Sequence, residues 1–393
     1  MATKVLDTFA GAGGFSLGFK VAGCNIVGAI EQDKWACETF KFNHPSARVL
    51  EENINSLTDR DIEAEFYNLK PDIILGGSPC QGFSVCNKNN GDPKDPRNSL
   101  FMDFIRTGKV LSPSAMILEN VPNIARAKTQ DGKKVINIIV KELESLGFYT
   151  YVDILDASNY GIPQLRKRLF VIASKKKLES PFPQPTHRLF SSENIFNNYL
   201  DDCPTLWDAI SDLPSIEARE GSEEMQYTEK AKSVYQELMR KNSSQVFNHV
   251  AMKHTKRVVN RFAAMSWGDS TANVPKDLLP YERNGKGRIS KKIYDQNNRR
   301  MHPYKPCHTI TASFYANFVH PFKNRNFTAR EGARIQSFPD WYVFKGKPTV
   351  VSQKLLEREG REVEKYLCQY NQIGNAVPPL LAQKIASNLL GQI

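Results

Sequence analysis

Between Lys4 and Gly147, short apolar runs alternate with stretches of helical periodicity, and this alternation restricts the fold more than any other property of the chain. Val5-Leu6, Ile26 to Ile30, Ile73 to Leu75 and Met116 to Leu118 have the length and composition of buried strands. Phe15 to Val21, Ile62 to Leu69, Phe101 to Val110 and Ile136 to Leu146 space their apolar residues as amphipathic helices do. Strands separated by helices pair in parallel, so the pattern predicts an α/β fold: a mostly parallel sheet with helices on both faces. Tyr151 to Leu155 and Leu169 to Ala173 add two more strands.

The texture changes after Ser174, where Lys175-Lys176-Lys177 and then Pro181, Pro183 and Pro185 punctuate a boundary. The expected division is a first domain over 1–180, a smaller, loop-rich domain over 181–325, and a segment 326–393 that returns to complete the first. Short strands are expected at His308-Thr309-Ile310-Thr311 and Asn317-Phe318-Val319, an exposed charged helix between Phe344 and Gln372, and a final amphipathic helix over about 379–390. The net charge of +11 is uneven: Lys241 to Ile310 holds 14 basic against 4 acidic residues, and Pro181 to Arg240 holds 5 against 11. Interleaved with Phe262, Trp267, Tyr281, Tyr294 and Tyr304, the basic stretch reads either as a surface that grips phosphates or as a solvated basic face. Seven cysteines without a CxxC pair argue against a zinc ribbon or a secreted disulfide framework. No apolar run approaches the roughly 20 residues of a membrane span, and the expectation is a soluble intracellular protein.

Four local patterns carry chemistry. In Asp7-Thr8-Phe9-Ala10-Gly11-Ala12-Gly13-Gly14-Phe15 a strand enters a glycine turn and then a helix, and Glu31 ends the next strand. Glycines let backbone N–H groups approach a ligand, and an acid at that position suits a ribose hydroxyl pair. The spacing departs from the dinucleotide pattern, which lowers a hydride-transfer reading. In Gly76-Gly77-Ser78-Pro79-Cys80-Gln81-Gly82, Cys80 follows a strand at its carboxyl end, as a nucleophile or as a small hydrophobe in a turn. Glu119 closes the strand of Ile117-Leu118, and an acid there is partly desolvated and so suited to proton donation. Arg166 and Arg168 alternate and are expected on one strand face, where two guanidinium groups can orient a carboxylate and clamp a phosphate.

Taken in order, Phe9-Ala10-Gly11-x-Gly13-Gly14, Pro79-Cys80-Gln81, Glu119-Asn120-Val121, Gln164-x-Arg166-x-Arg168 and Gly374-Asn375-Ala376-Val377-Pro378-Pro379 resemble the cytosine-C5 DNA methyltransferase family of bacterial restriction-modification type. Asn326 to Pro339 also resembles that family's motif before the last helix.

The resemblance implies a Rossmann-like S-adenosylmethionine-dependent methyltransferase fold with a target-recognition domain. By match, Cys80 attacks carbon 6 of a flipped-out cytosine, Glu119 supports protonation at N3, Arg166 positions Glu119 and the nucleotide, and Arg168 supports the site. S-adenosylmethionine would lie on Phe9, Ala10, Gly11, Gly13, Gly14 and Phe15, with Glu31 on its ribose. Gln32, Asn53, Ile54, Gly77, Pro79, Leu100, Asn375 and Val377 would complete the pocket. Asn53 and Gln32 depart from the acidic and apolar residues usual there. Gln81, Ser84 and Arg97 would meet the DNA, the stretch Asn87 to Asn98 would be a closing lid, and no metal is implied. The implied partner is double-stranded DNA, methylated by a cytoplasmic, nucleoid-associated prokaryotic monomer and so protected from a cognate restriction endonuclease that forms no stable complex with it. The alternatives are a transfer-RNA cytosine methyltransferase, whose Cys-Phe-Thr signature is absent, and a catalytically silent binding subunit.

Overall fold

β1 (Lys4–Thr8), α1 (Gly14–Val21) and β2 (Asn25–Glu31) form the first strand–helix–strand crossover, as the alternating pattern predicts, and α2 (Lys34–Asn43) and β3 (Arg48–Glu51) add a second that the pattern does not mark. α3 (Asp59–Phe66), β4 (Ile73–Gly76), α4 (Leu100–Leu111), β5 (Ala115–Asn120), α5 (Val135–Ser145) and β6 (Tyr149–Asp156) continue the alternation. This computed structural model describes residues 2–78, 100–129, 132–189, 199–282, 287–290, 297–349 and 353–393.

β7 (Gln164–Leu165) stands outside the main sheet, and β8 (Lys167–Ser174) re-enters it antiparallel between β5 and β6. The order is β3-β2-β1-β4-β5-β8-β6, with β1 to β5 parallel. Strand order therefore reverses between β1 and β4, and ligands of open α/β sheets bind beyond the carboxyl ends at such a point. Both sides of β4 and β5 are buried, which explains their unbroken apolar runs. Leu6, Ile30, Phe66, Ile74, Phe104, Met116 and Leu118 share one core cluster. Thr58 starts α3 with a reciprocal capping box to Asp61.

The chain divides into two compact units, 1–161 with 166–202 and 376–393, and 162–165 with 203–375. The boundaries differ from the expected ones: 181–202 stays with the first unit and 326–375 with the second, so only the last 18 residues return. Within the first unit α1 packs against the C-terminal helix Pro379–Leu390, which spans the expected residues. In the second unit, β7 pairs with Cys307–His308, and Gly221–Gln226 pairs antiparallel with Gln245–Val250. The strands expected around 308–311 and 317–319 shrink to two-residue pairings at Cys307–His308 and Phe318–Val319. The charged stretch is not one helix: Gln353–Arg358 is helical, Gly360 adopts φ +65°, and a short turn follows at Glu362–Glu364. A glycine in the left-handed region ends a helix readily.

Candidate active site

The carboxyl end of β1 leads into a strained loop. Phe9 has φ +58°, Gly11 φ +53° and Gly13 φ +83°, and Gly13 opens α1. Positive φ costs glycine little but strains Phe9, so the surrounding bonds must hold the loop. Ala10 N–H donates to the Ile30 carbonyl at 3.2 Å, and Gly13 N–H to the Ala10 carbonyl at 2.9 Å. An added Cβ at Gly11 would meet nothing within 4 Å among the described residues, which leave open space over the loop.

Glu31, at the end of β2, is pinned by two backbone donors. Gly11 N–H reaches Oε2 and Asp33 N–H reaches Oε1, each at 2.8 Å. Burial raises the Glu31 pKa, against the lowering effect of these bonds. A carboxylate has about four acceptor positions, so each oxygen keeps capacity for a ribose hydroxyl. Asn53 caps the turn Ile54–Ser56 by accepting from Asn55 N–H at 3.1 Å, with its side chain exposed and Ile54 buried. Gln32 is exposed. Phe15 is core, edge-on to Phe19 and Phe170.

At the adjoining strand ends, Gly77 lies 4.0 Å, from its ideal Cβ position, from the Phe9 carbonyl oxygen. Asn120 Nδ2 lies 3.4 Å from Ser78 Oγ, and Asn120 Oδ1 accepts from Val121 N–H at 2.7 Å. Glu119 is 8% exposed and pairs with Arg168, Nε to Oε1 at 2.9 Å. The register explains the pair: Glu119 faces Phe170 across β5 and β8, and Arg168, two residues away, shares that face. The partly desolvated acid expected from sequence is thus also paired, with Arg168.

Arg168 pairs with Glu119, and Arg166 reaches a main-chain carbonyl. Arg166 precedes β8, its carbonyl accepts from Ala157 N–H, and its guanidinium donates to the Ala376 carbonyl at 3.0 Å. Burial, then the Arg168 charge, push the Arg166 pKa down, and Glu119 opposes them. Arg166 thus feels Glu119 electrostatically while Arg168 holds it directly. Val377, next to Ala376, is buried in the first unit, whereas Asn375 ends a helix of the second unit and is exposed. Leu100 is buried at the start of α4. Pro79, Cys80, Gln81, Ser84 and Arg97, and the expected lid at 87–98, lie outside the described residues.

Sequence reasoning missed Asp7 and Ser16. Asp7 is 1% exposed and accepts from Ser16 Oγ at 2.6 Å, beneath the glycine loop. Burial raises its pKa to about 7. Its place directly before the glycine run was the available signal. In the second unit the basic stretch splits into two roles. Lys253, Lys256, Lys276, Arg288 and Lys305 are exposed. Arg261 and Arg300 are buried, and Arg300 donates to the carbonyls of Phe262, His320 and Pro321, as a strut between loops.

A glycine loop, a pinned acid one strand away and a paired acid at β5 stand at the strand ends of a Rossmann-like α/β sheet, where such folds bind their ligands. The family model described as C-5 cytosine-specific DNA methylase matches residues 3–391, and the chain belongs to that family. It is a DNA (cytosine-5) methyltransferase. The chain is 48% identical to the type II methyltransferase M.DdeI of Desulfomicrobium norvegicum, over 98% of this chain and 88% of that protein. It is 32% identical to the type II methyltransferase M1.HphI of Haemophilus parahaemolyticus, over 99% and 87%. A solved structure of a putative DNA modification methyltransferase encoded within an E. coli prophage aligns with a TM-score of 0.72 at 26% identity, covering 100% and 99% of the two chains. The structure of the S. pombe Dnmt2 methyltransferase shares the fold, with a TM-score of 0.59 at 16% identity.

The family implies S-adenosylmethionine as methyl donor, and the first unit fits it: the space over Gly11 is open among the described residues, and Glu31 is fixed beside it with acceptor capacity left. Among the described residues no helix is long and apolar enough to cross a membrane.

Proposed function

We propose that this chain is a type II modification methyltransferase that methylates one cytosine within a short duplex DNA sequence, through a covalent bond from Cys80 to carbon 6. The supporting observation is that the pinned Glu31 and the paired Glu119 stand at the carboxyl ends of β2 and β5 in one sheet, flanking the strand-order reversal. When bound, S-adenosylmethionine supplies an electrophilic methyl group. Glu31 orients the ribose; Phe9 to Phe15, Asn53, Ile54, Gly77, Leu100 and Val377 shape the rest of that pocket.

Carbon 6 of cytosine is a weak electrophile, so proton support at N3 must accompany attack at C6. Glu119 sits at the strand end to hold that proton, and Arg168 fixes its carboxyl group. The Cys80 thiolate adds to C6, which makes C5 nucleophilic enough to take the methyl group. A base then removes the C5 proton, the C5–C6 double bond reforms and the Cys80 sulfur leaves. The cytosine must be extruded for any of this, because C6 is stacked within a duplex. Gln81, Ser84 and Arg97 contact the DNA near the nucleophile. The exposed lysines of the second unit hold phosphates, and the enzyme acts as a cytoplasmic monomer whose methylation protects DNA from a companion endonuclease.

Incubation with labelled S-adenosylmethionine and either duplex DNA or transfer RNA tests the reading. Label is expected in DNA alone; label only in RNA, or in neither, would sink it. Cys80→Ser should also abolish trapping of the protein on duplex DNA containing 5-fluorocytosine. Bisulfite sequencing of a methylated plasmid then gives the site.

A further inference from the structure

Arg106 reaches from α4 to a loop some fifty residues earlier in the chain. Its Nη2 donates to the Ile54 carbonyl and to Asp103 Oδ1, each at 3.0 Å. Its Nη1 donates to the Leu57 carbonyl at 3.0 Å and to Asp59 Oδ1 at 3.1 Å. An arginine present only for surface charge would be satisfied by its helix neighbour Asp103, in a pair that contributes little. Arg106 instead gives two of its five hydrogen bonds to main-chain carbonyls, and the two carboxylates hold its plane in register with them.

Those carbonyls bracket the turn that Asn53 caps. Within the turn, the Ile54 carbonyl also accepts a long bond, 3.3 Å, from Leu57 N–H. The guanidinium therefore sets where residues 53 to 57 lie relative to α4, whose first residue is Leu100. We propose that Arg106 is a positioning residue for the base end of the cofactor site, acting through the Ile54 and Leu57 carbonyls to aim Asn53 and Ile54 at the adenine. This rests on the reading that Asn53, Ile54 and Leu100 line the pocket of S-adenosylmethionine. The Asn53 side-chain oxygen can accept from an adenine amino group, which hypoxanthine replaces with a carbonyl. Lysine cannot substitute fully, because one ammonium cannot span both carbonyls in one plane.

The test is calorimetric binding of S-adenosylhomocysteine and S-inosylhomocysteine to the full-length protein, its Arg106→Ala variant and its Arg106→Lys variant. The unaltered protein should prefer the adenine ligand. Arg106→Ala should weaken S-adenosylhomocysteine binding by about tenfold, with less than about twofold change for the inosine ligand, so that the preference collapses. Arg106→Lys should fall between, and it carries the comparison if the alanine variant does not fold. The KM for S-adenosylmethionine should follow the adenine affinity, with kcat at saturation kept within about twofold. Equal weakening of both ligands, or lower melting temperature with unchanged preference, would mark a purely structural arginine and overturn the proposal. Absence of binding to the unaltered protein would overturn the cofactor reading itself and the inference with it.

Discussion

Arg168 Nε lies 2.9 Å from Glu119 Oε1, joining the second residue of β8 to the acid of β5 within a nearly buried pair. The pair gives Glu119 a fixed geometry. Glu119→Gln keeps the shape and removes the acid, and should lower kcat for DNA methylation by about 100-fold to 1,000-fold. Arg168→Ala leaves a buried carboxylate without its partner and should also cost about 3 kcal/mol of stability. Single-turnover methylation and urea unfolding, run on both variants, separate the two effects. Wild-type kcat in Glu119→Gln would remove the acid from the mechanism.

Gly18 marks where α1 meets the C-terminal helix. A Cβ there would lie 2.5 Å from the Pro379 carbonyl oxygen and 2.6 Å from Gln383 N, both backbone atoms that cannot step aside. Gly18→Ala should therefore destabilise the protein by about 1–3 kcal/mol, even though alanine is the better helix former. An unchanged urea midpoint would show that the helix shifts at little cost.

The centre of the sheet was legible because its strands are short, buried apolar runs bounded by turns, as Ile73 to Leu75 illustrates, whereas the edge strand Arg48–Glu51 has no buried residue and no such run. The placement of the glycines at 11 and 13 and of Glu31 and Glu119 at strand ends was legible because each follows a short apolar strand. The second unit was not, because its organisation rests on buried arginines rather than on periodicity. Arg300 and Arg334 look like surface charge in the sequence, yet both are struts. The separate tasks of Arg166 and Arg168 were hidden for a similar reason. Alternation placed them on one face, but only the register of β8 against β5 shows which one meets Glu119. Gly360 was decisive for the charged stretch, and its left-handed conformation has no counterpart in hydrophobic patterning.

Arg334 is fully buried with Asp212 and Asp340, its Nε 2.6 Å from Asp340 Oδ1 and its Nη1 3.0 Å from Asp212 Oδ1. Burial alone would raise the Asp340 pKa, but Arg334 overcomes it and holds the value below the usual range. Removing the guanidinium takes the main partner from two buried acids, leaving Asp212 to Arg240 and Asp340 to Tyr227 and the more distant Arg330. Arg334→Met should destabilise the protein by about 3–5 kcal/mol, measured by urea denaturation at neutral pH. A loss under about 1 kcal/mol would mean that water or rearrangement compensates the carboxylates.

Asp7 makes the glycine loop sensitive to pH in the opposite sense from a salt-bridged acid. Its pKa rises from 3.8 to about 7, chiefly through burial, with Glu31 adding to the shift and the Ser16 bonds opposing it. Between those values the folded protein holds a proton that the unfolded chain has released. Its contribution to stability is thus complete below about pH 4 and lost as pH rises through about 7. The full loss is at most about 4 kcal/mol. Asp7→Asn keeps an acceptor for Ser16 and cannot ionise, so it should match the parent near pH 4 and exceed it in stability at pH 8. The difference between the two proteins isolates Asp7, because His249 and His320, whose pKa values are also shifted by burial, are common to both. Urea unfolding of both proteins at pH 4, 6 and 8 measures it. Parallel curves across that range would mean that Asp7 carries its charge throughout, and that Ser16 and the loop stabilise the ion beneath the glycines.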